Sequence, residues 1–151
     1  PRDIFDIAEG TRPGDREAAR ESFRRFGEVA GDVISQALTI IDGIVVLGGG
    51  LTGAAKYFMP SLLAEMRGEI GTFAGDRFPR LQMQTYDLDS PEEAAEFVRE
   101  KSVPVAVPHS EERVRYHHIR QTPVVHSKLG ASRAIALGAY AFAIAELDRR
   151  Q

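Results

Sequence analysis

The chain has 151 residues, 43% of them apolar, which is enough for one domain with a real core and too much for a disordered segment. A formal net charge of -3, with the signs mixed along the chain, gives no electrostatic basis for non-specific binding to nucleic acid or an anionic membrane. There is no cysteine, which rules out a disulfide framework and a thiolate metal site and suits a cytoplasmic protein.

The chain opens at Pro1 on a helix-like segment, RDIFDIAE, with no strand before it, and we therefore expect a fragment of a longer protein. After GTRPGD, Asp15 stands where it can cap a long helix. Ala19, Phe23, Phe26, Ala30, Val33, Ala37 and Ile40 recur at steps of four and three, which is one helical face, and Ile34, Leu38 and Ile41 widen it. Gly27, Ala30, Gly31 and Ala37 would let another element approach closely. The later half of this helix is expected to be deeply buried and to end at Asp42-Gly43. Ile44 to Leu47, short and continuously apolar, reads as a central strand covered on both faces in a mostly parallel sheet.

That strand breaks into glycines, in the stretch IVVLGGGLTGAAKY. Pro60 suits the first turn of a helix running to about Met66, followed by a Gly-rich loop, GEIGTFAGDRFP, and a strand, LQMQTYDL. Ser90-Pro91-Glu92-Glu93 joins an N-cap serine, a proline at the first helical position and a capping-box glutamate, predicting a helix over 91–101. VPVAV and PVVH are further strands. The last segment, ASRAIALGAYAFAIAEL, is apolar almost all round, and its apolar run from Ala134 to Leu147 falls short of the roughly 20 residues that span a bilayer. It reads as a buried helix packed on several sides, with a hinge surface for domain closure as the sharper alternative. Helices alternating with short apolar strands indicate an α/β layer architecture.

Three readings compete for the glycines. Gly48, Gly50 and Gly53 match the G-x-G-x-x-G spacing of a dinucleotide site, but that site wants a helix opening directly at the glycines and an acidic residue about 20 positions later. Here Pro60 interrupts such a helix, and the next strand closes only at Asp87. A tight strand-to-helix turn is the plainest reading. The third is an adenosine motif, in which a buried strand ends in glycines so that backbone can lie against adenine and ribose with no Cβ in the way.

Gly14-Asp15 before a long helix, then ALTIIDGIVVLGGGLTGAA, then the closing SKLGASRAIALGAYAFA resemble, in order and distance, the ROK family of repressors and sugar kinases, particularly its bacterial glucokinase branch. The resemblance implies an α/β fold of the actin-like ATPase, ribonuclease H-like class. Residues 1–151 would be the C-terminal half of its large, adenosine-binding domain, with the N-terminal domain outside this chain. It implies an ATP-dependent hexose kinase, glucose to glucose 6-phosphate, using ATP with Mg2+ and commonly forming homodimers. Gly48, Gly49, Gly50, Leu51 and Thr52 would line the adenosine pocket. The family's D-x-G-G-T phosphate loop, catalytic aspartate, E-x-G-H sugar motif and Cys-rich zinc motif are not in this sequence. No residue is therefore assigned a catalytic or metal role, and the chain is expected to be inert alone. The rival within the resemblance is the sugar-sensing domain of a ROK-type repressor, which would bring a DNA-binding segment at its N-terminus.

Other polar residues have plain readings beside sharper ones. RVRYHHIRQ, Arg113 to Gln121, could hold a phosphate or metal, or form an exposed hairpin, and adjacent His117 and His118 on a strand would not converge on one ion. His109 and His126 read as hydrogen-bonded structural histidines. Asp87 and Asp89 could bind Mg2+ or sit at a solvated strand end. Glu92, Glu93 and Glu96 suit the first turns of a helix, where the macrodipole favours negative charge.

Overall fold

The computed structural model describes residues 1–149. A short helix, α1 (Arg2–Glu9), leads to the longest one, α2 (Arg16–Leu38), whose cap is the expected Asp15, accepting the Ala18 N–H at 3.0 Å. Strand β1 (Val45–Leu47) enters the glycine turn, a 3-10 turn (Thr52–Ala54) leaves it, and α3 (Ala55–Met66) follows without a break. Next come a hairpin of β2 (Glu69–Gly71) and β3 (Arg77–Pro79), strand β4 (Met83–Asp87) and helix α4 (Pro91–Phe97). A second hairpin, β5 (Val103–Ala106) and β6 (Arg113–Tyr116), precedes β7 (Arg120–His126) and the last helix, α5 (Ala131–Asp148).

The main sheet has the order β1-β7-β4, and both of its pairings are parallel. It is β7 that is central: Thr122, Pro123 and Val124 are buried, and Thr122 Oγ1 donates to the Gly43 carbonyl at 3.0 Å. The expectation for Ile44 to Leu47 needs correction, since β1 is an edge strand among the described residues and Val46 is 59% exposed. A continuous apolar run is compatible with a buried strand, but which run lies in the middle is decided by the order in which strands pair, not by composition.

The core lies where α1, α2 and α3 pack together and onto the sheet. It includes Phe23, Phe58, Leu62, Met66 and Val124. On α2 the buried row is Ala19, Phe23, Gly27, Gly31, Ser35 and Leu38. Of the expected row, Ala19 and Phe23 are buried and Ala30 is half-buried, but Phe26, Val33, Ala37 and Ile40 are exposed, and in the later half of the helix only Gly31, Ser35 and Leu38 are buried. Gly27 and Gly31 explain the choice. An alanine Cβ at Gly27 would lie 2.2 Å from Ser61 Oγ and 2.3 Å from the Phe58 carbonyl oxygen, and one at Gly31 would lie 2.6 Å from the Leu62 carbonyl oxygen. Helix α3 therefore seats its backbone on the glycine face, and Ser61 Oγ donates across the contact to the Arg24 carbonyl at 2.8 Å. Arg80 pins the same pair of helices at one end through Asp32 and Glu65.

Several boundaries also differ from the sequence reading. Helix α2 stops at Leu38 rather than at Asp42-Gly43. Pro60 sits inside α3 rather than in its first turn, on the exposed side of the helix, where the Lys56 carbonyl that loses a partner faces solvent. Residues 69–79 form a hairpin rather than a loop. Helix α4 ends at Phe97, before residue 101. Ser90 caps it, accepting the Glu93 N–H at 3.3 Å, but the Glu93 carboxylate turns to the Asp87 N–H and Arg67 instead of closing a capping box. The largest departure is α5, which has no buried residue. Ile135, Tyr140 and Phe142 are 73%, 68% and 70% exposed. Its all-round apolarity marks a helix that needs cover, and no described element supplies it.

Gly27→Ala is expected to lower stability by about 2 kcal/mol, the overpacking cost outweighing the roughly 1 kcal/mol helix-propensity gain of alanine over glycine. Gly43→Ala, where nothing lies within 4 Å of the new methyl, should leave the urea midpoint nearly unchanged. Equal midpoints for the two variants would refute the close crossing.

Candidate functional site

The glycine turn leaves β1 at the carboxyl end of the parallel sheet, where ligands of open α/β folds gather. Gly49 has φ 103°, a conformation that side chains resist, and its carbonyl accepts both the Thr52 N–H at 3.3 Å and Thr52 Oγ1 at 2.8 Å. Those bonds close the turn. Gly48 and Gly50 have ordinary φ, and the space a Cβ would fill at Gly49, Gly50 and Gly53 is empty to 4 Å, while at Gly48 the nearest atom is Ser127 Cβ at 3.8 Å. Turn geometry requires a glycine at Gly49 alone.

One flank of the turn opens into a cleft of about 250 Å³ lined by Gly50, Leu51, Gly53 and Ala54, with Phe5 and Asp6 of α1 and Phe23 of α2. Of the five residues singled out in the sequence, Gly50 and Leu51 line this cleft. Gly48, Gly49 and Thr52 shape the turn beside it. Phe5, Asp6 and Phe23 carried no site signal in the sequence, because only the packing of α1, α2 and α3 together brings them there. That packing runs through Tyr57, whose ring stacks on Phe23 at 5.8 Å and whose hydroxyl donates to Glu9 at 2.8 Å. Lys56 holds the Glu9 carboxyl below its usual range, with Tyr57 adding to the effect. The volume is somewhat under the roughly 300–1,000 Å³ of ligand pockets, so it takes one end of a nucleotide rather than all of it.

The other flank meets the exit of β7. Leu47 pairs with His126, the Ser127 N–H donates to the Leu47 carbonyl at 2.8 Å, and the two chains leave the sheet side by side. Asp89, just past β4, holds this exit. Its carboxylate accepts the His126 N–H at 3.0 Å, the His126 imidazole through Nδ1, and Lys128 Nζ. Burial pushes the Asp89 carboxyl up, but the bonds from Lys128 and His126 together outweigh it and hold it down at about 2. Asp89 is thus an anchored acid rather than the solvated strand end of the plainer reading. His126 is hydrogen-bonded, in line with a structural role. Lys128 lies in the closing motif SKLGASRAIALGAYAFA but takes no site role from the sequence, and only the pairing of β7 between β1 and β4 places it here.

The remaining candidates do not converge on the turn. His117 and His118 lie just beyond β6 with rings stacked at 6.4 Å, and His117 Nδ1 meets the Ile119 carbonyl at 2.6 Å. His109 is an exposed turn residue with φ 61°. Among the described residues no group of three or more metal-ligating side chains comes together. A larger cavity of about 520 Å³ lies at the far end of α3, between Met66, Leu81, Met83 and α4. Its carboxylates Glu93 and Glu96 are already paired with Arg67 and Lys101. No described helix is long and apolar enough to cross a membrane.

A glucokinase from Parabacteroides distasonis ATCC 8503, known from a crystal structure at 3.00 Å, matches this structure with a TM-score of 0.78. It is 46% identical over 95% of this chain, which spans 38% of that chain's length. The α/β arrangement described here is therefore that of part of a glucokinase. No protein-family model matches the chain, and no curated protein matches it significantly.

Asp89 also sets an expected acid limb. A carboxyl lowered from 3.8 to about 2 contributes stability that is present above pH 3.8 and is lost as pH falls toward 2. Unfolding followed from about pH 5 downward should show wild type losing on the order of 1 kcal/mol that Asp89→Asn does not lose, a modest figure because the Lys128 end of the pair lies in solvent. Parallel curves for the two proteins would show that the anchor is not formed.

Proposed function

We propose that this chain is the C-terminal half of the adenosine-binding domain of an ATP-dependent hexose kinase of the ROK type, most simply a glucokinase. In that reading the nucleoside lies against the glycine turn, with its base in the cleft between Phe5, Phe23 and Leu51. The fold would be of the actin-like class, and the parent enzyme would work on ATP with Mg2+ and glucose as a homodimer in the cytoplasm.

The observation that carries the reading is the empty space over the glycines. The fold itself needs a glycine only at Gly49, yet no protein atom crowds the missing side chains at Gly50 or Gly53. Side chains left out where packing does not require it suit a ligand that approaches the backbone. The glucokinase match agrees with a kinase parent, and the uncovered apolar residues of α5 and Phe26 and Val33 of α2 agree with a chain that completes its core against more of the same fold. The dinucleotide alternative meets one of its two requirements. Helix α3 does run on from the turn through Pro60, but the strand that follows it, β2, belongs to an antiparallel hairpin, and the next strand of the parallel sheet closes only at Asp87.

Phosphoryl transfer needs positioned phosphates, a metal ion to offset their charge and a group that orients the sugar hydroxyl. The family motifs that supply these are not in this sequence. The chain is accordingly expected to bind ADP weakly and to show no glucose-dependent ATP turnover. Gly50→Val should weaken ADP at least about tenfold, or 1.4 kcal/mol, with the fold intact. Gly49→Val should lose stability as well, because of its φ of 103°. Calorimetric titration with ADP and with NAD(H), beside thermal unfolding, checks all of this. Binding of NAD(H), or turnover by the chain alone, would overturn the reading.

A further inference from the structure

Building on the nucleoside reading of the glycine turn, we propose that Lys128, positioned by Asp89, is the cation that receives the phosphates of a nucleoside di- or triphosphate bound there. The turn has two unlike flanks. On one side Gly50 and Leu51 border the apolar cleft with its two phenylalanines, which suits the uncharged base. On the other, Gly48 abuts Ser127, and the next residue along β7's exit is Lys128. A nucleotide with its base in the cleft and its ribose over the glycines extends its phosphates toward that second flank.

The charges there are arranged to leave the lysine available. Asp89 accepts three donors, the His126 N–H, the His126 ring and Lys128. An ammonium group has three donors, and Asp89 takes one from a side chain that is 77% exposed. Helix α5 begins three residues after Lys128 with no acid in its first turn, so no carboxylate on that side competes for the remaining two. Asp89 meanwhile ties the exits of β4 and β7 together. It fixes where the lysine's backbone leaves the sheet relative to Gly48, a positioning role rather than a contact with ligand.

The test separates phosphate recognition from everything else the residue does. Adenosine and ADP are titrated by calorimetry into the wild-type chain, Lys128→Met, Lys128→Arg and Asp89→Asn. Lys128→Met should weaken ADP about tenfold and leave adenosine within about twofold, while Lys128→Arg keeps most of the ADP affinity. Asp89→Asn should weaken ADP about threefold, again without moving adenosine, and the ADP advantage should shrink with added salt. Equal losses for adenosine and ADP in Lys128→Met would make the residue structural and overturn the proposal. Unchanged ADP binding in that variant, or equal affinity of wild type for adenosine and ADP, would overturn it too while leaving the nucleoside reading intact. A wild-type chain that binds neither ligand would refute that reading itself.

Discussion

The crossing of α2 over α3 is the constraint on which the rest depends. Gly27 and Gly31 remove the two side chains that would hold the helices apart, and the Phe58 and Leu62 carbonyls come within what would be clashing distance of a Cβ. Once α3 is seated there, its first turn fixes where the chain leaves the glycines of β1, and Tyr57 on the same helix draws α1 in through Glu9 and Phe5. The cleft beside Gly50 is a by-product of that packing: its walls come from three elements that share no sequence signal. A helix pair held at normal separation would leave the turn without its apolar flank.

A second constraint acts across the sheet. With β7 threaded between β1 and β4, the last strand in the sequence becomes the central one, and its exit runs between the glycine turn and the Asp89 loop. One carboxylate then gathers a lysine, an imidazole and a backbone amide from that exit. The turn is thereby bounded by an apolar surface on one side and a charged, hydrogen-bonded one on the other. That polarity is what a nucleotide presents, with an uncharged base at one end and phosphates at the other, and it gives the kinase reading its direction.

The uncovered faces belong to the same account. Helix α5 and the row of Phe26 and Val33 on α2, with Ile40 just beyond it, have the pattern of buried surface without the burial. Transfer of such side chains out of water is worth roughly 1.5–3 kcal/mol each when complete, so together they represent a large driving force for association with a complementary apolar face. The chain spans 38% of the length of the glucokinase it matches.

Taken by itself, the sequence determined the local features. The caps at Asp15 and Ser90, most of the helices and strands, the α/β alternation and the glycine turn after β1 were all legible, because each depends on residues within a few positions of one another. It also marked every apolar face, including the two rows on α2, but not which of them would be covered. The close approach at Gly27 and Gly31 was marked in the sequence, but tertiary structure alone decided that α3 is what comes there and that the Val33 row stays uncovered, that β7 rather than β1 is central, and that Asp89, His126 and Lys128 meet beside the turn. Those outcomes rest on contacts between residues 30 to 80 positions apart. Periodicity reports that a surface is apolar, whereas strand order and helix separation decide what lies against it.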